Sequence, residues 1–240
     1  QTRFLDVAKT LRPFLDLLPF HLDQRFAGPA LRRLRIKHRR KAPKATVLAI
    51  PRQARRMYVD LAVISRHDAG TGIQRVVRAL ALALAETPGE RWDVRFVAGD
   101  RRHPYHVISW PYRVEAIDRT PIVAQPGDVF IGLDFSLDTA RFHRRQLSHF
   151  RRAGGSLWFL VCDLLPAERP EWFSANNVLR YKAWLEIIAG IADGFLCISQ
   201  QTEGDLRRVL AERFGLEEGY ATRIVPMGRA ILDSMLQEAA

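Results

Sequence analysis

The sequence predicts an α/β protein built on a doubly wound parallel sheet, and three observations carry that prediction. From Met57 onward, apolar runs of strand length alternate with amphipathic helical stretches. Runs such as VFIGL (129–133) and LWFLVC (157–162) are apolar on both faces, as strands covered by helices on two sides must be. Alternation of the two element types calls for crossover connections and hence a parallel sheet.

The elements follow in order. The run 57–65 reads as the first strand, and 72–85 as a helix because Ile73, Val76, Val77, Leu80 and Leu84 recur on one face. Residues 92–98 are a second strand. The stretch 101–125 is irregular, punctuated by Pro104, Pro111 and Pro121, with short extended pieces such as 105–109. A strand at 128–133, a helix at 139–152 and a strand at 156–162 come next. The Pro-containing loop 163–170 leads into a helix over 174–191, followed by a strand at 194–198. In the helix 202–214, Leu206, Val209, Leu210 and Phe214 fall in phase, and Gly215 stops it. A last strand spans 222–225.

The net charge of +11 is unevenly placed. Residues 1–56 hold 15 Lys and Arg against 3 acids, which leaves 22 against 23 in the remainder. The basicity therefore belongs to an N-terminal extension (1–56) and not to the body at 57–228, which argues against nucleic acid as a partner of the fold. In the extension, an apolar segment with Phe4, Leu5, Leu11, Phe14, Leu15, Leu17, Leu18 and Phe20 is broken by Pro13 and Pro19. No run there reaches the roughly 18 apolar residues of a membrane span. The cluster Arg32, Arg33, Arg35, Lys37, Arg39, Arg40, Lys41 and Lys44 follows. Such a cluster has two readings: a solvated linker, or a contact with an anionic membrane surface, where each cation contributes about 1 kcal/mol. Cys162 and Cys197 each close an apolar strand-like run. They read as buried reduced thiols, with the cytoplasm as the default compartment.

Ligands of open parallel sheets bind outside the carboxyl ends of the strands. The residues that follow each expected strand are therefore the candidates. After the first come Gly70, Thr71 and Gly72, with Arg75 one helical turn on; after the next ones come Asp134 and Asp163; Ser199 follows FLCI, and Pro226 and Gly228 follow RIV. Two glycines around Thr71 permit a tight turn and close approach of a ligand to backbone, and the helix behind them presents free N–H groups to an anion. Arg75 stands against the helix dipole at a cost of about 0.3–1 kcal/mol, which a bound anion would offset; a plain strand-to-helix turn is the alternative. Asp163 is open to two roles, a cap at the sheet edge or a group that orients a hydroxyl and accepts its proton. Asp134 is equally open, since Phe135-Ser136-Leu137-Asp138 makes a helix-start turn of it. Ser199 fits an N-cap first, although one hydroxyl can serve a ligand as well.

Other motifs are missing. Arg75 stands where G-x-G-x-x-G needs its third glycine, and the chain has no P-loop, G-x-S-x-G or H-E-x-x-H. His103 and His106 flank Pro104 with no third ligand near, so no metal site is expected. His143 and His149 read as surface positions on a helix. Trp158, Phe159, Trp172, Phe173, Tyr181 and Trp184 read as core or interface.

The segments DAGTGIQRVVRAL, GDVFIGLDFS, FLVCDLLPAERPEWF and ADGFLCISQQTEGDL occur in that order. Together they resemble the N-terminal domain of bacterial family 4 glycosyltransferases of the GT-B fold, of the O-antigen and capsule mannosyl- and rhamnosyl-transferase type. The resemblance covers roughly residues 58–228. It implies two Rossmann-like domains facing a cleft, the first holding a glycan or lipid-linked acceptor. Gly70, Thr71, Gly72 and Arg75 would then lie near the donor phosphates and Asp163 near the reacting sugar. The family's second domain binds the nucleotide sugar, GDP-, UDP- or dTDP-linked, through a Glu-x7-Glu pair. No two glutamates here have that spacing, and residues 229–240 read as the start of an interdomain linker.

The resemblance implies a hexosyltransferase half, retaining and needing no metal or other cofactor, that is expected to be inactive alone. It would work in the cytoplasm or at the inner face of the plasma membrane. A non-catalytic Rossmann-like module that binds a glycan or a partner is the alternative.

Overall fold

The computed structural model describes residues 54–86, 92–111 and 118–225. The basic cluster at 32–44, the segment from Pro226 to Gly228 and the expected linker at 229–240 lie outside the described residues. Within them the chain runs β1 (Arg55–Asp60), α1 (Gly72–Glu86), β2 (Trp92–Ala98), β3 (His106–Val107), β4 (Val129–Gly132), α2 (Leu137–Phe142), α3 (Arg144–Arg152), β5 (Ser156–Val161), α4 (Leu165–Glu168), a 3-10 turn (Pro170–Trp172), α5 (Ala175–Ile191), β6 (Gly194–Cys197), α6 (Gln200–Phe214) and β7 (Ala221–Ile224).

The strands form a single seven-stranded sheet in the order β3-β2-β1-β4-β5-β6-β7. Every pairing is parallel except that of β2 with β3, where Val97 lies opposite Val107. The chain winds outward from β1 to β3, returns to β4 and winds out the other way. The expected doubly wound α/β architecture is therefore the one observed, with its topological switch point between β1 and β4.

Alternation along the strands builds two cores. Met57 and Val59, Val129 and Ile131, and Trp158 and Leu160 point to one face, where Val77, Leu80, Ala81 and Leu84 of α1 cover them. Tyr58, Phe130, Leu157, Phe159 and Phe195 point to the other. There they meet Phe150 of α3, Tyr181, Trp184 and Ile188 of α5, and Leu206 and Leu210 of α6. Edge-on aromatic contacts fix this second layer, with ring centroids 5.6 Å apart for Tyr58 and Phe150 and 5.1 Å for Tyr105 and Phe130.

Several boundaries differ from expectation for local reasons. The first strand stops at Asp60, and Leu61–Ser65 closes a helical turn in which the Ser65 amide donates to the Leu61 carbonyl over 3.0 Å. Apolar side chains prolonged the apparent strand, but carboxylates at both flanks hold the backbone curled. The helix expected at 139–152 starts at Leu137 and breaks at His143 into α2 and α3. The loop after β5 contains the short α4. Gly215 ends α6 as expected, in the left-handed conformation (φ 60°) that suits glycine. Of the aromatic residues assigned to core, Trp158, Phe159, Tyr181 and Trp184 are buried, whereas Trp172 is 66% exposed. Cys197 is buried and Cys162 partly so; both are free thiols, and burial pushes each up to about 12.

Candidate functional site

Parallel strands deliver all their carboxyl ends to one rim, and the switch point lies on it. At the end of β1, Asp60 is 1% exposed. Its Oδ1 accepts the Ala62 amide at 2.9 Å. Its Oδ2 accepts the Ser136 hydroxyl at 2.5 Å and the Tyr105 hydroxyl at 3.0 Å. Burial, then the charge of Asp134, pushes its pKa up to about 7, against the pull of the three donors.

Asp134, two residues past β4, is also buried. Its Oδ2 accepts the amides of Val63 (2.6 Å) and Ile64 (2.7 Å), and its Oδ1 accepts that of Phe135 at 2.9 Å. Burial raises its carboxyl above the ordinary range, opposed by those amides. It thus caps the helical turn after β1 from the neighbouring strand, a different job from the helix-start turn or the ligand contact considered from the sequence.

That turn leads into the glycine loop. Gly70 takes φ 64°, and around Gly70 and Gly72 a side-chain carbon would meet nothing within 4 Å. Thr71 and Gln74 form a capping box: the Gln74 amide donates to Thr71 Oγ1 (3.4 Å), and the Thr71 amide donates to Gln74 Oε1 (3.3 Å). Gln74 is itself buried. It ties the loop down by accepting the Ala69 amide at 2.9 Å and donating Nε2 to the His67 carbonyl at 3.0 Å. Arg78 pairs with Asp68 below the loop. Thr71 and Gly72 stay exposed. Among the described residues the amides of Gly72 and Ile73 make no hydrogen bond, so the positive end of a 15-residue helix opens onto the rim. Arg75 is half-buried in the first turn, its amide bonded to the Thr71 carbonyl at 2.9 Å.

Asp163 leaves the same rim at the end of β5. With β4 between β1 and β5, two strand spacings, about 10 Å, separate it laterally from the end of β1. Its Oδ1 accepts the Leu165 amide at 3.0 Å, and its carbonyl accepts the Tyr181 hydroxyl at 2.9 Å. Its Oδ2 accepts no hydrogen bond among the described residues. Ser199 is the N-cap of α6, with its hydroxyl accepting the Thr202 amide at 3.1 Å. Thr202 in turn donates to the Cys162 carbonyl at 3.3 Å, which ties the first turn of α6 to the end of β5.

The structure thus brings Gly70, Thr71, Gly72, Arg75, Asp134, Asp163 and Ser199 to one rim. Asp134 and Ser199 are occupied by backbone amides, while the glycine loop and one oxygen of Asp163 are open. Sequence reasoning missed Asp60, Ser136, Tyr105 and Gln74. Gln74 was legible as the fourth residue of T-x-x-Q before an apolar run. Asp60 was hidden by the apolar residues that follow it. His103, between Asp100 (3.0 Å) and Arg119 (2.8 Å), and His106, on the Pro104 carbonyl (2.8 Å), have local partners.

Fold and rim together define a Rossmann-like α/β domain with a preorganised glycine loop at its switch point. The chain is similar to three sequences of the Escherichia coli serotype-specific mannosyltransferase WbdA. One is 32% identical over 165 residues, 67% of this chain and 20% of the relative. A second is 31% identical over 162 residues, with 66% and 20% covered. The third is 31% identical over 165 residues. The chain thus spans about a fifth of the length of the curated relatives it matches. No family model matches it, and no solved structure matches at the significance these relatives reach. Among the described residues no helix is long and apolar enough to cross a membrane.

Proposed function

We propose that the chain is the acceptor-side, Rossmann-like half of a two-domain bacterial glycosyltransferase of the family 4, GT-B type. It would take part in moving a hexose from a GDP-, UDP- or dTDP-linked sugar to a growing polysaccharide or a lipid-linked acceptor at the cytoplasmic face of the membrane. The observation that carries this reading is an open glycine loop on the same rim as Asp163, in a chain 32% identical to a protein named as a mannosyltransferase. Mannose is therefore the first hexose to test.

The chemistry follows from the rim. The unbonded amides at Gly72 and Ile73 and the positive end of α1 receive the donor phosphates, and Arg75 adds a cation within one turn. Charge developing on the leaving phosphate is then met by donors that are already oriented. The open oxygen of Asp163 accepts a hydrogen bond from the acceptor hydroxyl, orients it and takes up its proton. Asp134 and Ser199 act one step back, since they hold the loops from which those groups project. The donor sugar is held by a second domain with a Glu-x7-Glu pair, transfer proceeds with retention, and the chain alone is inactive.

One observation favours the second reading, a glycan-binding module without chemistry: one oxygen of Asp163 already caps Leu165. The deciding experiment assays the full-length gene product with a panel of nucleotide sugars. Transfer that falls about 100-fold or more in kcat for Asp163→Ala, with an unchanged melting temperature, supports the transferase. Glycan binding with no transfer from any donor sinks it in favour of the module.

A further inference from the structure

The helical layer over β4, β5 and β6 carries a feature that the rim does not use. Between α3 and α5 lies a groove of about 810 Å³. Arg141, Arg144, Arg145 and Arg152 line one wall at helical spacing, and the only acid in the lining is Glu186. Several arginines elsewhere in the domain are matched to acids. Arg151 meets Asp193 at 2.8 Å, Arg180 meets Asp138 at 2.8 Å, and Arg207 meets Glu203 at 3.0 Å. In the groove, by contrast, the guanidinium groups of Arg144, Arg145 and Arg152 make no ion pair or hydrogen bond among the described residues. Arg141 comes no nearer to an acid than 3.8 Å, to Asp138. Like charges gathered this way repel one another unless an anion joins them.

Large apolar side chains stand exposed beside these cations. Phe142 is 41% exposed, with the Arg141 guanidinium over its ring at 5.0 Å. Leu179 is 68% exposed and lines an adjoining cavity of about 420 Å³ that shares Arg141 with the first. A soluble phosphate or a nucleic-acid backbone would engage the arginines and leave Phe142 and Leu179 in water. A bilayer surface engages both, headgroup phosphates with the guanidinium groups and the acyl boundary with the apolar side chains.

We infer that this face docks the domain onto an anionic phospholipid bilayer, with Arg141, Arg144, Arg145 and Arg152 on the headgroup phosphates and Phe142 and Leu179 at the acyl boundary. The site is separate from the basic cluster at 32–44 and stands without the transferase reading.

The test is flotation of the 240-residue chain with phosphatidylcholine vesicles that contain or lack phosphatidylglycerol. Binding is expected only with phosphatidylglycerol. It should weaken about tenfold or more in R144E/R145E/R152E, and to a lesser degree in R144Q/R145Q/R152Q. The pair F142S/L179S should lose about fivefold and keep the same salt dependence. All these side chains are exposed, and a circular-dichroism melt confirms that each variant is folded. Charge reversal at Arg39, Arg40 and Lys41 should leave the effect of the triple variant in place. The inference is overturned if the triple variant floats like the parent, or if the parent ignores anionic vesicles. It also fails if inorganic phosphate releases the protein where sodium chloride of equal ionic strength does not, since that marks a soluble-phosphate site.

Discussion

At the amino end of the sheet, Asp128 and Asp193 each face an arginine. Asp128 takes the Arg56 guanidinium at 2.6 Å and the Gln125 amide at 2.8 Å. Asp193 takes Arg151 at 2.8 Å and the Leu157 amide at 2.9 Å. At the carboxyl end, Asp60 and Asp134 are buried as deeply, yet among the described residues they meet only amides and hydroxyls. The amino rim is stapled by charge pairs, whereas the carboxyl rim holds two neighbouring carboxylates with no cation paired to them among the described residues. Uncompensated carboxylates in a dry site have shifted protonation, and such shifts cluster where a protein does chemistry. Burial raises Asp193 as well, so the difference between the rims lies in their partners: arginines at one end, neutral donors at the other.

The sharpest way to break this comparison is the pH dependence of stability in Asp60→Asn. Burial raises the carboxyl of Asp60 in the folded state to about 7, above its value in an unfolded chain, so the folded state holds the proton more tightly. This group therefore favours folding most at low pH, and its contribution is lost as pH rises from about 4 to about 7. At about 1.4 kcal/mol per pKa unit, the parent should lose on the order of 4 kcal/mol relative to Asp60→Asn across that window. Denaturant melts at several pH values measure the difference; parallel curves for the two proteins would remove Asp60 from the account.

At the amino rim, Asp193→Ala leaves Arg151 and the Leu157 amide without their partner. It should cost about 3 kcal/mol at neutral pH and lower the melting temperature accordingly. A shift no larger than that of a surface substitution would mean that the pair is not a staple. The smallest effect is local. Gln74→Ala removes one half of the capping box and should cost about 1 kcal/mol. Hydrogen exchange should quicken at Ala69 and Thr71 well before the core; uniform quickening would mean that Gln74 acts on the whole fold instead.

Much of the fold was legible because its warrants are local or periodic. Residues 129–133 and 157–162 are apolar without interruption and form central strands. Ile73, Val77, Leu80 and Leu84 mark the inner face of α1. Ser199 and Gly215 bracket α6 as a cap and a stop should. The error at the end of β1 has a long-range cause: Leu61–Ile64 look like strand because they are apolar, but Asp134, 70 residues away from Ile64 in sequence, captures the amides of Val63 and Ile64. The same long-range contact hid Asp60, which the sequence places mid-strand and the structure places at a strand end.

The sequence by itself determined the alternation of elements, the glycine loop and the gathering of Asp134, Asp163 and Ser199 on one edge, because parallel strands leave no other place for residues that follow them. Tertiary structure alone decided which of these groups stay open. Asp134 is used up by backbone amides of the turn after β1 and of Phe135, Asp163 keeps an oxygen open among the described residues, and Asp60 is buried against Tyr105 and Ser136. Hydrogen-bond partners that lie 31 to 76 residues apart leave no periodic trace in a sequence, and only folding brings them together.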